Sequence, residues 1–248
     1  MKTNIHLPQL TADEVIFPDI EEAQQQRDGL VAVGGDLSVS RFLAAYRQGI
    51  FPWYDDAHPI MWWAFSKRMV LWTEEFKVSR SLTKTLRNST YRITVDHAFE
   101  GVVRRCARTY RPGQVGTWLV PEMQEAYRNL YQAGHACSFE CWTQDEYQHW
   151  RLSGGLYGIV IGRVFYGESM FAHVRDASKL AFVHAVRYLR ARGVSLIDCQ
   201  VHTDHLARFG AREIDFSDFK NALDQYCPQS LDMPIVPTVL VDNWANKD

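Results

Sequence analysis

The stretch from Gly154 to Gln200 constrains the fold of this chain most strongly. Two apolar strands, 156–161 and 163–170, are joined by a short turn and predict a β-hairpin. A helical pattern follows over 177–192, and the stretch ends in another strand, 196–201. Strand, strand, helix and strand in this order predict a mixed α+β sheet with the helix packed on one of its faces.

Asp198 and Gln200 lie in the last strand of this stretch, where apolar and polar residues alternate. Successive side chains of a strand point to opposite faces, so these two polar side chains should share one face, with Cα atoms about 6.6 Å apart. A carboxylate and an amide within an apolar run predict the centre of a functional site. A buried Asp–Gln hydrogen bond that holds two strands together is the alternative interpretation.

The composition is that of an ordinary globular protein, with 46% hydrophobic and 23% charged residues. The 248 residues allow one large domain, or a full domain with a smaller companion. We find no run of about 18 apolar residues and no secretory signal near the N-terminus. Five cysteines, an odd number, occur in a chain too long to need disulfide bonds. We therefore expect a cytoplasmic protein without a membrane partner.

Basic residues cluster in two places, although the formal net charge is −2. The spacing over 77–88 predicts a helix with a basic stripe, made of Lys77, Arg80, Lys84 and Arg87. A second basic cluster follows, made of Arg104, Arg105, Arg108 and Arg111. Two basic faces in a slightly acidic protein favour a phosphate-backbone partner, whereas solvated helix faces are the alternative.

Further along the chain, the pattern predicts other helices and strands. We expect a helix between Ser38 and Gly49 and another that begins at Pro121, since serine and proline favour the first turn. A strand is predicted over 136–142, and the residues 143–153 are interpreted as a turn and a hairpin loop. After the Asp198 strand we predict a short helix, a strand, a helix over 215–226 and a last strand over 234–241.

Several short motifs occur in one order over about residues 17–214. They are Gly29–Ser38, Ala45–Trp53, Gly116–Trp118, Gly154–Gly158, Gly167–Phe171, Ala177–Lys179 and Leu196–Val201. Together these motifs resemble the leucyl/phenylalanyl-tRNA–protein transferases. Single motifs are weak signals, but their common order covers most of the chain and makes the resemblance specific.

The resemblance implies a small N-terminal domain, 1–75, that contributes to an aminoacyl-adenosine site, and a larger catalytic domain, 76–248, similar to the GNAT acyltransferases. It implies transfer of Leu or Phe, and less well Met, from aminoacyl-tRNA to the α-amine of proteins that begin with Arg or Lys. The product would be marked for degradation under the N-end rule. The resemblance implies no metal, ATP or prosthetic group, and we expect a monomer.

By the same resemblance, Asp198 and Gln200 are the catalytic pair, and Glu168 contacts the acceptor amine or orients the aminoacyl group. A neutral amide is a very poor base, so we interpret Gln200 as the group that orients the amine and Asp198 as the group that fixes Gln200. Water or a ribose hydroxyl would then complete the proton transfer. The site for the terminal adenosine and its aminoacyl group would be lined by the aromatic residues Tyr46, Trp53, Trp118 and Tyr127. For Tyr127, core packing is the alternative.

The resemblance also implies an apolar pocket for the Leu or Phe side chain. Its predicted members are Leu156, Phe165, Met170, Phe182, Ala185, Leu189 and Ile197, with Ser169 and Thr203 as further substrate-binding residues. The stripe of Lys77, Arg80, Lys84 and Arg87 would bind acceptor-stem phosphates. The chain departs from the family pattern at Ala64–Arg68, where Ser-Pro-Asp-Pro-Arg is frequent, and at Thr203, where some members have Asn. Residues 147–152 resemble an insertion.

Three alternatives remain open. An acetyl-CoA-dependent N-acetyltransferase needs a glycine-rich turn for the pyrophosphate, but the turn at Ala172–Asp176 has no glycine and carries an acidic residue. A non-catalytic tRNA-binding adaptor would explain the basic stripes but not the three polar residues of the predicted site. A metal site from Cys199, His202 and His205 lacks a recognised spacing.

Overall fold

The computed structural model describes residues 7–12, 14–109 and 117–242. The elements of the N-terminal part are β1 (Gln9–Leu10), α1 (Ile20–Gln26), β2 (Leu30–Gly34), α2 (Val39–Arg47), β3 (Phe51–Pro52) and β4 (Met61–Trp63). They are followed by β5 (Lys67–Trp72), α3 (Arg80–Asn88), β6 (Arg92–Val95), α4 (Phe99–Arg108), α5 (Pro121–Gln132), β7 (Ala136–Gln144), β8 (Trp150–Ile161), β9 (Val164–Ala172), α6 (Ala177–Arg190), β10 (Leu196–Gln200), α7 (Asp204–Ala207), β11 (Arg212–Asp215), α8 (Phe216–Tyr226) and β12 (Thr238–Asp242).

The described strands form two sheets. A four-stranded sheet has the order β1-β2-β4-β3, and an eight-stranded sheet has the order β11-β5-β10-β9-β8-β7-β6-β12. In the large sheet β9 and β10 are parallel, because α6 connects them as a crossover, and the other neighbouring strands are antiparallel. The predicted α+β class, with a mixed sheet and a small N-terminal part, is confirmed.

The large sheet separates two apolar layers. On one face α6 buries nearly its whole apolar side, together with Leu82 of α3. The other face packs against α4, α5 and α8 and against the N-terminal part, whose Trp62 is fully buried. The small sheet therefore closes over one face of the large sheet, and side chains of both can reach a common site.

The predicted boundary after residue 75 places β5 in the N-terminal part, but β5 belongs to the large sheet. It pairs with β10 on one side and with β11 on the other. Both neighbours of β5 in the sheet are therefore strands of the C-terminal part, although the chain connects β5 directly to β4. We propose that the division into two parts lies between Trp63 and Lys67.

Two further predictions need correction. The hairpin predicted to be a loop over 143–153 is mostly sheet, since β7 continues to Gln144 and β8 begins at Trp150. The basic helix begins at Arg80, where Ser79 is the N-cap and accepts a hydrogen bond from the backbone of Leu82, so Lys77 lies before the helix. In the second basic cluster, Arg104, Arg105 and Arg108 lie in α4, and Arg111 lies outside the described residues. Gly116, which begins one of the family motifs, also lies outside them.

Gly158 allows β8 and β9 to approach each other closely. A Cβ atom at this position would lie 2.2 Å from the carbonyl oxygen of Tyr166 and 2.5 Å from the ring of Phe165. We expect Gly158→Ala to lower the free energy of unfolding by about 1–3 kcal/mol, because backbone and a buried ring must move. Chemical denaturation measures the change. The matched variant Gly101→Ala, in α4 with its nearest neighbour at 3.4 Å, should instead be neutral or stabilising. Equal effects of the two variants would contradict this account.

Candidate functional site

A cavity of about 420 Å³ opens between β9 and β10. The two strands pair only from Leu196 with Val164 to Asp198 with Tyr166, and β9 then continues to Ala172 without a partner in β10. The small sheet supplies Phe51 and the loops beside it to the same cavity. Separation of two parallel strands therefore creates a space that the N-terminal part covers.

Most of the predicted site residues line this cavity. They are Trp53, Trp118, Leu156, Phe165, Glu168, Ser169, Met170, Phe182, Ile197, Asp198, Gln200 and Thr203. The lining is mostly apolar along α6 and β8, and its polar side chains come from the middle of β9, from the end of β10 and from the first turn of α7 with its N-cap. The arrangement suits an apolar group that carries a polar, reacting end.

Two predicted pocket residues do not line the cavity. Ala185 and Leu189 are buried in the apolar layer between α6 and the sheet. Phe182 does line it, and the other two follow about one and two helical turns later, so the helix axis carries their side chains away from the opening. The cavity does not include them, and their assignment to the side-chain pocket stays a prediction.

Tyr46 and Tyr127 also do not line the cavity, because both rings are buried behind Glu168. The Tyr46 hydroxyl donates a hydrogen bond of 3.1 Å to Oε2 of Glu168, and the Tyr127 hydroxyl donates one of 2.6 Å to the same oxygen. Neither ring reaches the cavity wall, and a place for these two tyrosines in the adenosine and aminoacyl site stays a prediction. They orient the carboxyl group, and burial raises the pKa of both hydroxyls well above 10, which keeps them donors.

Glu168 is thus fixed through one oxygen only. Its Oε1 atom is buried and has no hydrogen-bond partner among the described residues, while the residue lines the cavity. Burial raises the pKa of this carboxyl group to about 7, although the two tyrosine hydroxyls oppose the shift. A carboxyl group with an unused acceptor and a pKa near neutrality is suited to bind or exchange a proton with an amine.

Asp198 does not stand alone with Gln200, because a buried arginine binds its carboxylate. Arg68 Nε donates to Oδ1 at 2.8 Å and Arg68 Nη2 donates to Oδ2 at 2.6 Å, and both side chains are fully buried. The backbone N–H of Gln200 also donates to Oδ1, at 2.8 Å. The predicted connection between Asp198 and Gln200 therefore exists, but it runs through the backbone of Gln200.

Regular alternation of side chains ends at Asp198. The ladder with β5 shifts register between Asp198 and Gln200, and Gln200 has a left-handed backbone with φ of 62°. The prediction of one regular strand face is therefore wrong in its geometry, although both residues line the same cavity. A bulge at this place re-aims the side chain of Gln200.

Aromatic rings surround one side of the opening. Trp53 is 47% exposed, and its ring meets Trp63 and Phe65 edge-on at centroid distances of 6.2 and 6.3 Å. Trp63 Nε1 donates to the carbonyl oxygen of Trp53 at 2.7 Å, which fixes this loop. On the other side Trp118 is half-buried and contacts the Tyr127 ring edge-on. Trp53 and Trp118 therefore offer partly exposed ring faces where an unstacked base could bind.

Sequence reasoning missed Arg68 as a site residue. Its signal in the sequence is weak, since it is a single arginine directly before the apolar run Met69–Leu71. His205, a candidate metal ligand in the sequence, lines the cavity, and its buried Nε2 atom has no hydrogen-bond partner in the described structure. Burial, together with Lys179 and Arg208, lowers the pKa of His205, so its ring is neutral at pH 7.

Within the described ranges, no three or more His, Cys, Asp or Glu side chains are grouped so that they could hold a metal ion. In the same ranges no helix has the length and apolar character needed to cross a membrane.

The residues of the basic stripe are exposed. Arg80, Lys84 and Arg87 lie on α3, and Lys77 lies just before it. Across the part of the chain that the structure describes, none of the four forms an ion pair. Their charges are therefore available to an external anion.

Comparison with known families gives the same assignment as the motifs. The model of the leucyl/phenylalanyl-tRNA protein transferase matches residues 70–224, and the model of the N-terminal domain of this transferase matches residues 35–64. The chain belongs to this family. The matched ranges contain β3, β4, the end of β5 and the strands β6 to β11, and thus strands of both parts that enclose the cavity.

Members of the leucyl/phenylalanyl-tRNA–protein transferase family are similar over most of the chain. The protein of this name from Chromobacterium violaceum is 58% identical over 201 residues, which are 81% of this chain and 84% of that protein. The one from Chromohalobacter salexigens is 52% identical over 89% of this chain and 84% of that protein. The one from Neisseria meningitidis serogroup C is 50% identical over 88% of this chain and 91% of that protein.

Among solved structures, FemX covers 71% of this chain and 66% of its own, at 10% identity and a TM-score of 0.46. This similarity is too low to carry an argument about the site.

Proposed function

We propose that this protein transfers Leu or Phe, and less well Met, from aminoacyl-tRNA to the α-amino group of proteins that begin with Arg or Lys. The acceptor would thereby be marked for degradation. The observation that carries the proposal is the unpartnered Oε1 of Glu168 at the polar end of an apolar cavity. The names of the similar proteins support the aminoacyl-tRNA donor and the protein acceptor.

The apolar part of the cavity is where the Leu or Phe side chain would bind. Its walls are Leu156, Phe165, Met170, Phe182 and Ile197. Unbranched Met170 can change rotamer to accept side chains of different shape. An apolar pocket discriminates only weakly between side chains that differ by a methylene group. Acceptance of Met as a poorer substrate is consistent with these walls.

The reaction needs positioning more than strong acid or base catalysis, because the aminoacyl ester is already activated. The acceptor nitrogen attacks the ester carbonyl carbon, the bond from that carbon to the ribose oxygen breaks, and the amine proton ends on the released ribose hydroxyl. Gln200 would orient the attacking amine, and Oε1 of Glu168 would accept a hydrogen bond from an amino group. Water or a neighbouring ribose hydroxyl would carry the proton between the two substrates.

The exposed faces of Trp53 and Trp118 would hold the unstacked 3′-terminal adenosine beside the cavity.

The N-terminal part and the large sheet of one chain together line the cavity, which supports action as a monomer. All five cysteines are free, which supports a reducing compartment such as the cytoplasm.

The basic stripe is the proposed contact for acceptor-stem phosphates. We expect Lys84→Ala combined with Arg87→Ala to weaken tRNA binding and to reduce the slope of log K against log salt concentration by up to about 2, because each lost phosphate contact removes about one unit. Filter binding at several salt concentrations measures the slope. Arg190→Ala combined with Lys220→Ala, which removes the same charge from α6 and α8, serves as the control. An equal loss of slope in both double variants would contradict a specific phosphate contact.

A direct assay tests the proposed function. Purified protein is mixed with radiolabelled Leu-tRNA and a model protein with N-terminal Arg, and label is followed into protein. We expect transfer to this acceptor and to one with N-terminal Lys, and none to an acceptor with N-terminal Glu. Binding of the tRNA without transfer would favour the adaptor alternative. Transfer of acetyl from acetyl-CoA instead would favour the acetyltransferase alternative.

A further inference from the structure

We propose that Arg68 is a positioning residue of the transfer reaction. It holds Asp198 in place, and Asp198 in turn holds the backbone turn that presents Gln200 to the cavity. This inference rests on the proposed function and deepens it, since it gives the Arg68–Asp198 ion pair and the bulge at Gln200 one common role.

The carboxylate of Asp198 is fully committed to this structure. Oδ2 accepts from Arg68, and Oδ1 accepts both from Arg68 and from the backbone N–H of Gln200. Neither oxygen is exposed, and the guanidinium group takes both oxygens at once in the bidentate geometry that carboxylates prefer. Asp198 is therefore arranged to hold the Gln200 backbone, and it is not arranged to receive a proton.

Arg68 is itself fixed between two aromatic rings. Its Cζ atom lies 4.5 Å from the ring centre of Phe51 in β3 and 4.9 Å from that of Phe219 in α8. Phe51 also lines the cavity. A planar guanidinium group can stack on rings and bind a carboxylate with two nitrogens, which an ammonium group cannot do. The position therefore requires arginine.

Gln200 is the residue that this device would position. Its φ of 62° is unusual for a residue other than glycine and persists only where the surroundings enforce it. The hydrogen bond from its N–H to Asp198 supplies that constraint at the point where the ladder shifts register. Without it, the backbone would relax towards a regular strand, and the side chain would turn to another direction.

A double-mutant cycle tests the inference. We expect Arg68→Lys to lower kcat about 100-fold while the KM for Leu-tRNA changes less than about twofold, because a displaced Gln200 affects the reacting amine and leaves the apolar pocket intact. Gln200→Ala should lower kcat to a similar extent. The double variant should be no slower than Gln200→Ala alone, because Arg68 acts through Gln200. Multiplicative losses would overturn the inference.

Controls separate positioning from folding. Arg41→Lys changes another fully buried arginine, paired with Asp36 in the small N-terminal part, and should lower the melting temperature with kcat near that of the wild type. An equal fall of kcat in Arg41→Lys and Arg68→Lys would overturn the inference. If Arg68→Lys does not fold, Arg68→Met combined with Asp198→Leu removes both charges and should fold. Wild-type kcat in that variant would overturn the inference, whereas absence of transfer by the wild type would refute the proposed function itself.

Discussion

Asp198→Ala is expected to abolish aminoacyl transfer and to lower the free energy of unfolding by about 3–5 kcal/mol. The substitution leaves the Arg68 guanidinium group buried without its counter-ion, and it removes the acceptor for the N–H of Gln200. Transfer is lost because Gln200 loses its backbone constraint. Urea denaturation and the radiolabel assay measure the two effects. Binding of tRNA should be largely kept, because the basic stripe of α3 lies apart from the ion pair.

Asp215→Ala is the matched control for this prediction. Asp215 pairs with Lys67, which lies next to Arg68 in β5, but both of these side chains are more than half exposed. Exposed ion pairs contribute about 0–1 kcal/mol, so the variant should be almost as stable as the wild type and should retain transfer. An unchanged transfer rate in Asp198→Ala would remove the Arg68–Asp198 pair from the mechanism.

Glu168→Gln is expected to lower kcat by at least about 100-fold and to change how stability depends on pH. The pKa of Glu168 is about 7 in the fold and lies near its ordinary value of 4.5 when unfolded. Between these values Glu168 is protonated in the folded state and ionised in the unfolded state. The free energy of unfolding therefore falls as the pH rises from about 4.5 to about 7, by about 3 kcal/mol in total. The loss is complete above pH 7. Glutamine does not titrate, so the variant should lack this contribution to the pH dependence of the free energy of unfolding.

The measurement is the difference in free energy of unfolding between the wild type and Glu168→Gln at pH 5, 6, 7 and 8. A difference is needed because Asp96 and Glu140 also have pKa values raised by burial and change wild-type stability in the same direction. Tyr127→Phe removes the 2.6 Å hydrogen bond to Glu168, so it should raise the pKa of Glu168 further and extend the titration to higher pH. A difference that does not vary with pH would contradict a raised pKa.

Local patterns were sufficient for much of the fold and for the core of the site. The order of two strands, a helix and a strand in Gly154–Gln200 predicted the mixed sheet around β9, α6 and β10 correctly. The motif residues Glu168, Asp198 and Gln200 do line one cavity. The direction of each side chain in a strand or a helix follows from the local backbone geometry. A pattern of apolar and polar residues over a short segment is therefore enough to predict it.

For other residues, local patterns could not predict the surroundings of the side chain. Ala185 and Leu189 share the apolar pattern of α6 with Phe182, and periodicity cannot tell which part of an apolar face meets a cavity and which part meets a sheet. Tyr46 and Tyr127 are aromatic residues near the site, but only the structure shows that both of their hydroxyl groups donate to Glu168.

By itself the sequence determined the elements, the family motifs and the side chains that the chemistry requires. Only the tertiary structure decided that Arg68 binds Asp198, 130 residues away, and that Tyr46 binds Glu168, 122 residues away. It also decided that Gln200 leaves the regular strand in a bulge. These contacts depend on which strands become neighbours and in which register, and that outcome is set by the packing of the whole chain and not by any local period.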